Sequence, residues 1–345
     1  MIKICMFDAK PYDEYFFNRF NQDGKFHIDY FEPKLTKETA PLSKGYDVVV
    51  GFVNDTIDKG VIDILVQNNI KLLAMRCAGY NNIDFKHAFK KIHVVTVPSY
   101  SPNAVAEHAM ALLLSLNRKI HKAYTRVRDH NFSLNGLLGF DLFGKTIGVI
   151  GTGKIGKIFV KICQGFGAKV LAYDPFPNPD LKVDYVDLDT LYQQADIISI
   201  HCPLTKANYH LINENSIRKM KKGVYIINTS RGGLIDSEAL LKGLRDCQIG
   251  GAGLDVFEEE KDFFYEDLSM ALMRDEILTQ LISLPNVIIT SHQAYFTKEA
   301  LEQIAKTTLS NIEQALVHHK YTNEICYFCE KKGQCEARPT NQPCF

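Results

Sequence analysis

Apolar and polar residues alternate along this chain in blocks that switch between two periods. In the first hundred residues, short apolar runs (KICMFD, FHIDYF, DVVVG, KLLAMR and HVVTV) are separated by stretches of helical spacing such as PYDEYFFNRF and TIDKGVIDILVQNN. Strand-like runs divided by helical segments imply βαβ units and a parallel sheet. A long helix is expected from Pro102 or Asn103 to about Asp129, with Ser101 as N-cap and Pro102 in the first turn. Its apolar residues cover much of its surface, which predicts burial between domains or between subunits. After a Gly-rich aromatic loop, Asn131 to Gly144, the alternation restarts with KTIGVI and continues through KVLAY, DIISI, VYIIN, GGAGLDV and NVIIT. A last helix is expected from Thr297 to about His318, packed back on the first domain.

Composition narrows the classes open to such a chain. At 345 residues it exceeds what one hydrophobic core usually holds, so two domains are expected. Lys and Arg balance Asp and Glu at 40 each, which leaves no basic excess for nucleic acid or an anionic membrane. Any anion site must therefore be local. The longest apolar stretches, such as Ala109 to Leu114, fall far short of the roughly 20 residues that cross a bilayer. The first residues are interrupted by Lys3 and Asp8 and lack the basic, apolar and small-residue blocks of a signal peptide, so export is not expected. Cys5, Cys77, Cys163, Cys202 and Cys247 are scattered singly, which fits a reducing cytoplasm better than a disulfide framework.

The strand KTIGVI runs into Gly151, Thr152, Gly153, Lys154, Ile155 and Gly156, a G-x-G-x-x-G string that opens a helix. The first glycine permits a tight turn, the second lets backbone amides approach a pyrophosphate, and the third lets helix and strand pack closely. The helix N-terminus presents unpaired N–H groups and a positive dipole end to that anion. The next strand, KVLAY, ends at Asp174, where a carboxylate accepts hydrogen bonds from ribose hydroxyls and repels a 2'-phosphate. Pro175 and Phe176 follow without a compensating cation, so NAD is favoured over NADP.

In a doubly wound sheet, ligands bind outside the carboxyl ends of the strands. That rule singles out His201 and Cys202, Ser230 and Arg231, Asp255, and Ser291 and His292. Arginine suits a carboxylate clamp because its planar fork binds both oxygens and keeps its charge. Histidine suits proton transfer near neutral pH, and a neighbouring carboxylate would raise the pKa of its imidazolium. Glu258, Glu259 and Glu260 are the candidates for that neighbour, and spacing does not choose among them. His108 and His121 lie within the long helix and read as structural, and His201 as cofactor-adjacent.

These residues resemble the D-isomer-specific 2-hydroxyacid dehydrogenases, and within them the lactate branch. The likeness runs from KICMFDAKPYDEYFF through RCAGYNNID, VPSYSPNAVAEHA, LNRKIHKAYTRVRD, GKTIGVIGTGKIG, HCPLT, NTSRGGLID and GLDVFEEEKDFFYED to SHQAYFTKEAL, nearly everything up to Ile325. It implies an α/β fold of two Rossmann-like domains with parallel sheets. A flavodoxin-like substrate domain would comprise residues 1–100 and 295–330, a doubly wound NAD-binding domain residues 101–294, and a Cys-containing tail residues 331–345. The resemblance places the carboxylate-binding arginine at Arg231, the acid partner at Glu260 and the acid/base histidine at His292. It assigns NAD contacts to Gly151, Gly153, Lys154, Ile155, Gly156, Asp174, Cys202, Pro203, Asn208, Thr229, Ser230, Arg231 and Asp255. Substrate contacts would be the backbone amides of Ala78 and Gly79, Arg231, and walls formed by Phe52, Tyr100 and Tyr295. It further implies NADH-dependent reduction of pyruvate to D-lactate in a homodimer or a tetramer of dimers formed through the long helix. A bulkier 2-keto acid or hydroxypyruvate is the alternative substrate, and an NAD-sensing corepressor-like protein the alternative class.

Cys326, Cys329, Cys335 and Cys344 crowd the end of the chain and match nothing in that family. Four thiolates are able to hold zinc or an iron–sulfur cluster, and air oxidation would pair them. Without a second C-x-x-C or a histidine, the expectation is a flexible appendage with free thiols and no metal.

Overall fold

The structure is a computed structural model that describes residues 1–258, 264–270 and 273–332, the last three of these through the backbone only. The chain divides into two compact units, Met1–Ser101 with the chain from Thr297 onward, and Pro102–Phe296.

The first unit begins with β1 (Ile2–Met6), α1 (Pro11–Phe20), β2 (Phe26–Tyr30), β3 (Val48–Gly51), α2 (Lys59–Gln67), β4 (Leu72–Met75), α3 (Phe85–Ala88) and β5 (His93–Val95). All strand pairs are parallel, in the order β2-β1-β3-β4-β5, which is the flavodoxin-like arrangement. The strands β3 and β4 are buried along their whole length because helices cover both faces, as their unbroken apolar runs require. The Asp58 side chain accepts from the Val61 amide at 3.0 Å and so starts α2, whose Val61, Ile62 and Leu65 face the sheet.

The second unit opens with α4 (Pro102–Arg118) and α5 (Ile120–Arg128). The single helix expected here is broken at Lys119, which adopts a left-handed backbone (φ 51°). The two halves also differ in burial. The apolar face of α4, with Ala106, Ala109, Leu113 and Leu116, covers the sheet of its own unit. The shorter α5 buries no residue and exposes Ile120, Tyr124 and Val127 on one side. Then follow β6 (Thr146–Ile150), α6 (Gly156–Gly165), β7 (Lys169–Tyr173), β8 (Asp184–Tyr185), α7 (Leu188–Gln194), β9 (Ile197–Ile200), α8 (Glu214–Lys219), β10 (Val224–Asn228), α9 (Ser237–Arg245), β11 (Ile249–Leu254), α10 (Glu276–Ser283) and β12 (Val287–Ile289). This parallel sheet has the order β12-β11-β10-β9-β6-β7-β8. The direction of winding reverses between β6 and β9, so a crevice for a ligand opens at their carboxyl ends. The two-residue β8 lacks any alternation to announce it in the sequence.

The chain returns to the first unit through α11 (Lys298–His318), capped by Thr297, whose hydroxyl accepts from the Ala300 amide at 3.3 Å. Ala305, Leu309, Ile312 and Ala315 join Phe17, Val48 and Leu72 in one core. Beyond it the segment before α12 (Tyr327–Lys332) docks on β5. Ile325 donates its amide to Val94 at 2.9 Å, and the buried Glu324 carboxylate meets His93 Nδ1 at 2.6 Å. Cys326 and Cys329 are buried, with sulfurs 3.8 Å apart, and Phe328 packs edge-on against Phe89. The flexible appendage expected from Cys326 onward is therefore a packed segment as far as Cys329, because aromatic and thiol side chains cover α3. Cys335 and Cys344 lie outside the described residues. Among the described residues no helix is long and apolar enough to cross a membrane, and no group of three or more potential ligands is arranged to hold a metal ion.

Candidate active site

The glycine loop between β6 and α6 is shaped by backbone-to-backbone contact. Gly151 has φ 92°, and a Cβ there would lie 2.6 Å from the His201 carbonyl oxygen at the end of β9. A Cβ on Gly156 would come within 1.9 Å of the Gly151 carbonyl oxygen, so the first turn of α6 closes directly over the loop. Gly153 is different. Nothing lies within 4 Å of a Cβ placed on it, which leaves an open cradle beside exposed Lys154 and half-buried Ile155. A pyrophosphate fits such a cradle, with the helix N-terminus beneath it.

Asp174, following β7, anchors the other end of this loop. Its Oδ2 accepts from the Thr152 amide (2.7 Å) and hydroxyl (3.0 Å), and its Oδ1 accepts from the Phe176 amide (2.8 Å). A carboxylate has about four acceptor positions, so three bonds leave capacity for a ribose hydroxyl. Tyr185 of β8 donates to the Thr152 hydroxyl at 3.0 Å, a support that the sequence did not announce.

The ends of β9 and β10 supply the next residues. His201 is buried against Phe159, with Nε2 2.9 Å from the Ser199 hydroxyl, and burial lowers its pKa to about 3, so it is neutral at physiological pH. Its Nδ1 and the Thr229 hydroxyl are buried polar atoms without a hydrogen-bond partner among the described residues. Such orphans are costly unless a ligand satisfies them, which fits a dinucleotide alongside the open cradle. Cys202 is half-buried, and burial pushes its thiol up to about 11. Asn208 fastens the following loop by donating to the Pro203 carbonyl (2.8 Å) and accepting from the Thr205 amide (2.6 Å).

Arg231 stands on a turn held by Asn228, which is 1% exposed. Asn228 accepts from the Ser230 amide at 3.0 Å and donates to the Arg231 carbonyl at 2.9 Å, while the Ser230 hydroxyl donates to the Ile200 carbonyl at 2.8 Å. Among the described residues the guanidinium makes one hydrogen bond, from Nη1 to the Ser230 carbonyl at 2.7 Å, and pairs with no carboxylate. Most of its five donors are thus available to an anion.

At the ends of β11 and β12, Asp255 is fully buried and organises the His292 turn. Its carboxylate accepts from the Thr290 hydroxyl (2.5 Å), the Gln293 amide (2.9 Å) and the Ala294 amide (2.8 Å), and its carbonyl accepts from the His292 amide (2.8 Å). His108 of α4 reaches the same Thr290 hydroxyl at 3.1 Å. His292 has φ 52°, and Tyr265, itself at φ 70°, donates to the His292 carbonyl at 2.8 Å. Two non-glycine residues in a left-handed conformation, touching each other, mark a site whose geometry the surroundings impose. Thr290 and Tyr265 escaped sequence reasoning, and His108 was read as structural, because each acts through a partner distant in the chain; Asn228 holds its near neighbours Ser230 and Arg231, and no pattern in the sequence singled it out.

The glutamates separate. Glu258 Oε1 accepts from the Tyr209 hydroxyl (2.6 Å) and lies 2.7 Å from His210 Nε2, so its carboxylate is committed on the α9 side. Glu259 and Glu260 lie outside the described residues. In the first unit, Phe52 is buried with the Arg76 guanidinium 4.3 Å from its ring centre, Ala78, Gly79 and Tyr100 are half-buried, and the Cys77 thiol contacts the Gly79 carbonyl at 3.2 Å. Tyr295, in the second unit, is buried and follows Ala294, whose amide Asp255 holds.

Comparison with known proteins agrees with this geometry. Residues 110–294 match the family model described as D-isomer specific 2-hydroxyacid dehydrogenase, NAD binding domain. A D-lactate dehydrogenase of Escherichia coli is 45% identical over 94% of this chain and all of its own length, and the apo-structure of that enzyme superposes with a TM-score of 0.87. A 2-hydroxyacid dehydrogenase homolog of Schizosaccharomyces pombe is 50% identical over 90% of this chain and 95% of its own. The structure of a pyruvate reductase of Chlamydomonas reinhardtii is 43% identical with a TM-score of 0.89, covering 94% of this chain and 98% of that one. This chain therefore belongs to the D-isomer-specific 2-hydroxyacid dehydrogenases, NAD-dependent oxidoreductases built of two parallel-sheet α/β domains, and its second unit is the NAD-binding domain.

Proposed function

We propose that this enzyme reduces pyruvate to D-lactate with NADH, and that Arg231, Glu260 and His292 carry the reaction. The observation that carries the proposal is the state of Arg231, a cation at a strand end beside the cofactor cradle with a single hydrogen bond among the described residues. A 2-keto acid offers the carboxylate such a fork binds in bidentate fashion. Bound NADH supplies the hydride. The imidazolium of His292 donates the proton to the carbonyl oxygen, from a backbone that Asp255 and Tyr265 hold in place. The Glu260 carboxylate is assigned as the partner of His292, since an opposite charge beside an imidazolium stabilises it. The amides of Ala78 and Gly79 and the side chains of Phe52, Tyr100 and Tyr295 complete the substrate contacts. Gly151, Gly153, Lys154, Ile155, Gly156, Asp174, Cys202, Pro203, Asn208, Thr229, Ser230 and Asp255 form or support the NAD site. The relatives named D-lactate dehydrogenase and pyruvate reductase favour pyruvate over a bulkier keto acid. The exposed stripe of Ile120, Tyr124 and Val127 on α5, beside exposed Phe132, Leu134 and Leu138, favours association of copies of this chain as a homodimer or a tetramer of dimers. Buried single thiols such as Cys5 and Cys163, each pushed up to about 12 by burial, suit a reducing cytoplasm.

The test is NADH oxidation with a panel of 2-keto acids, followed by chiral analysis of the product. Pyruvate should be the best substrate and D-lactate the product. L-lactate, or a larger kcat/KM for 2-ketoisocaproate or hydroxypyruvate, would refute the assignment, and binding of NADH without turnover of any keto acid would point to a sensing protein instead.

A further inference from the structure

The turn that carries Arg231 continues into Gly232 and Gly233, and both glycines are enclosed by neighbouring chain. A Cβ on Gly232 would lie 2.1 Å from the carbonyl carbon and oxygen of Phe257 and 2.4 Å from the Glu258 nitrogen. On the other side, a Cβ on Gly233 would meet Leu204 and Tyr209, each at 3.2 Å, and the His210 amide donates to the Gly233 carbonyl at 2.9 Å. The Arg231 turn is thus the middle layer of a sandwich, with residues 257–258 on one face and residues 209–210 on the other.

One side chain joins the outer layers. Glu258 reaches past the glycines, accepts from the Tyr209 hydroxyl at 2.6 Å and meets His210 Nε2 at 2.7 Å, while its second oxygen accepts from the Ser237 hydroxyl at 3.3 Å at the start of α9. The rings of Tyr209 and His210 stack 3.9 Å apart, and His210 has φ 52°, so the carboxylate grips a pair of side chains already locked together. His210 also faces Asp236 at 3.9 Å. Burial pushes the Glu258 carboxyl up, but the bonds from Tyr209 and His210 outweigh it and hold the group below the ordinary carboxylate range. Hydrogen bonds to a charged group are the stronger kind, and an ionised acid in this place ties together segments 49 residues apart.

We propose that Glu258 is a positioning residue for substrate binding: its carboxylate clamps residues 209–210 over the Gly232–Gly233 turn and so fixes the direction in which Arg231 presents its guanidinium. The inference rests on the reading of Arg231 as the keto-acid clamp. It gives the acidic run a division of labour, in which the first glutamate holds the arginine turn and the third is the proposed partner of His292.

Two measurements on the full-length enzyme separate this inference from that reading. In steady-state kinetics, Glu258→Ala should raise KM for pyruvate by about tenfold, the worth of a lost hydrogen bond to a charged group, while kcat changes less than about threefold and NADH affinity less than about twofold. Glu258→Gln, which keeps an acceptor for the Tyr209 hydroxyl, should fall between the two, and Tyr209→Phe should reproduce part of the rise. In hydrogen–deuterium exchange, the Leu234 and Ile235 amides, which close this turn onto the Arg231 and Gly232 carbonyls, should exchange faster in Glu258→Ala. The exchange measurement needs no substrate, so it decides the clamp even if the wild-type enzyme proves inactive on pyruvate. Unchanged exchange at Leu234 and Ile235 would overturn the proposal. So would an unchanged KM, or equal losses in KM, kcat, NADH affinity and thermal stability, which would mark Glu258 as a general packing residue. If Glu258→Ala does not fold, Glu258→Gln and Tyr209→Phe carry the same two comparisons.

Discussion

Two arginines stand just beyond strand ends in the two sheets, and their surroundings are opposite. Arg76 follows β4 and is 2% exposed. It donates to the Phe7 carbonyl (3.1 Å), the Asp8 carbonyl (2.5 Å) and the Asp13 carboxylate (3.2 Å), and its plane lies against the Phe52 ring. Buried Asp55 adds a further carboxylate to this edge of the sheet, accepting from the Phe52 amide (2.5 Å) and the Leu35 amide (2.7 Å). Arg231 follows β10 and makes one internal bond among the described residues. Both sheets have the carboxyl-end edge at which ligands bind in this class of fold, yet in the first the chain's own carbonyls and acids saturate the cation. Residue type and strand-end position do not make a ligand site. The number of internal acceptors does, because a guanidinium with its donors occupied has nothing left to offer an anion.

The histidines form a second such pair. His201 is buried and neutral, whereas His292 is held by its backbone on a half-buried turn. The largest expected effect follows from this contrast. His292→Ala should lower kcat by about 10² to 10⁴-fold, the usual worth of a positioned acid or base, with little change in NADH affinity. A loss below tenfold in pre-steady-state hydride transfer would move the proton donor elsewhere.

Next in size is Arg76→Met. Removing one partner from a buried charge network leaves Asp13 uncompensated, and about 3 to 5 kcal/mol of stability should be lost in chemical denaturation. A loss under 1 kcal/mol would show that the first sheet edge is not saturated in the way its distances imply. Arg231→Lys should do the reverse. It replaces the planar fork by a point charge, so KM for the keto acid should rise about 10- to 100-fold while the denaturation midpoint stays put. If the midpoint falls with the affinity, the two arginines are alike and the contrast fails.

A smaller effect concerns Asp55, whose carboxyl burial raises to about 6, with amide bonds from Phe52 and Leu35 and the charge of Arg76 opposing the rise. Since the folded value lies above the ordinary 3.8, the folded state binds this proton more tightly than the unfolded chain. The stabilising contribution of Asp55 is therefore complete below about pH 3.8 and is lost as pH rises through about 6. Carbon-13 NMR of labelled aspartate should show a resonance with its midpoint near 6. In Arg76→Met that midpoint should move higher still, and a midpoint near 4 in the wild type would show that water reaches this edge. The smallest effect is that of truncation after Ile325. Loss of the Phe328–Phe89 pair and of the buried Cys326 and Cys329 should lower Tm by a few degrees without changing kcat. An unchanged Tm would return the segment to the status of an appendage.

Much of this was present in the sequence. Strand runs alternating with helical spacing, the helix start at Thr297 and the glycine string act over a dozen residues or so, with Asp174 one βα unit further on, 22 residues from Thr152, and their physics is that of the local backbone. The sequence by itself therefore determined two parallel-sheet units and the place of the cofactor loop. It also put Arg231 and His292 at strand ends. The break at Lys119 was not legible, since no glycine or proline marks it, and neither was the two-residue β8. Only the tertiary structure decided which arginine is saturated and that Glu258 is bonded to Tyr209 and His210. It alone decided that the tail is packed as far as Cys329. The partners that settle those questions, Asp13 for Arg76 at 63 residues and Tyr209 for Glu258 at 49, meet only when the sheets close. Hydrogen bonding and burial depend on distances in space, which spacing along the chain does not encode.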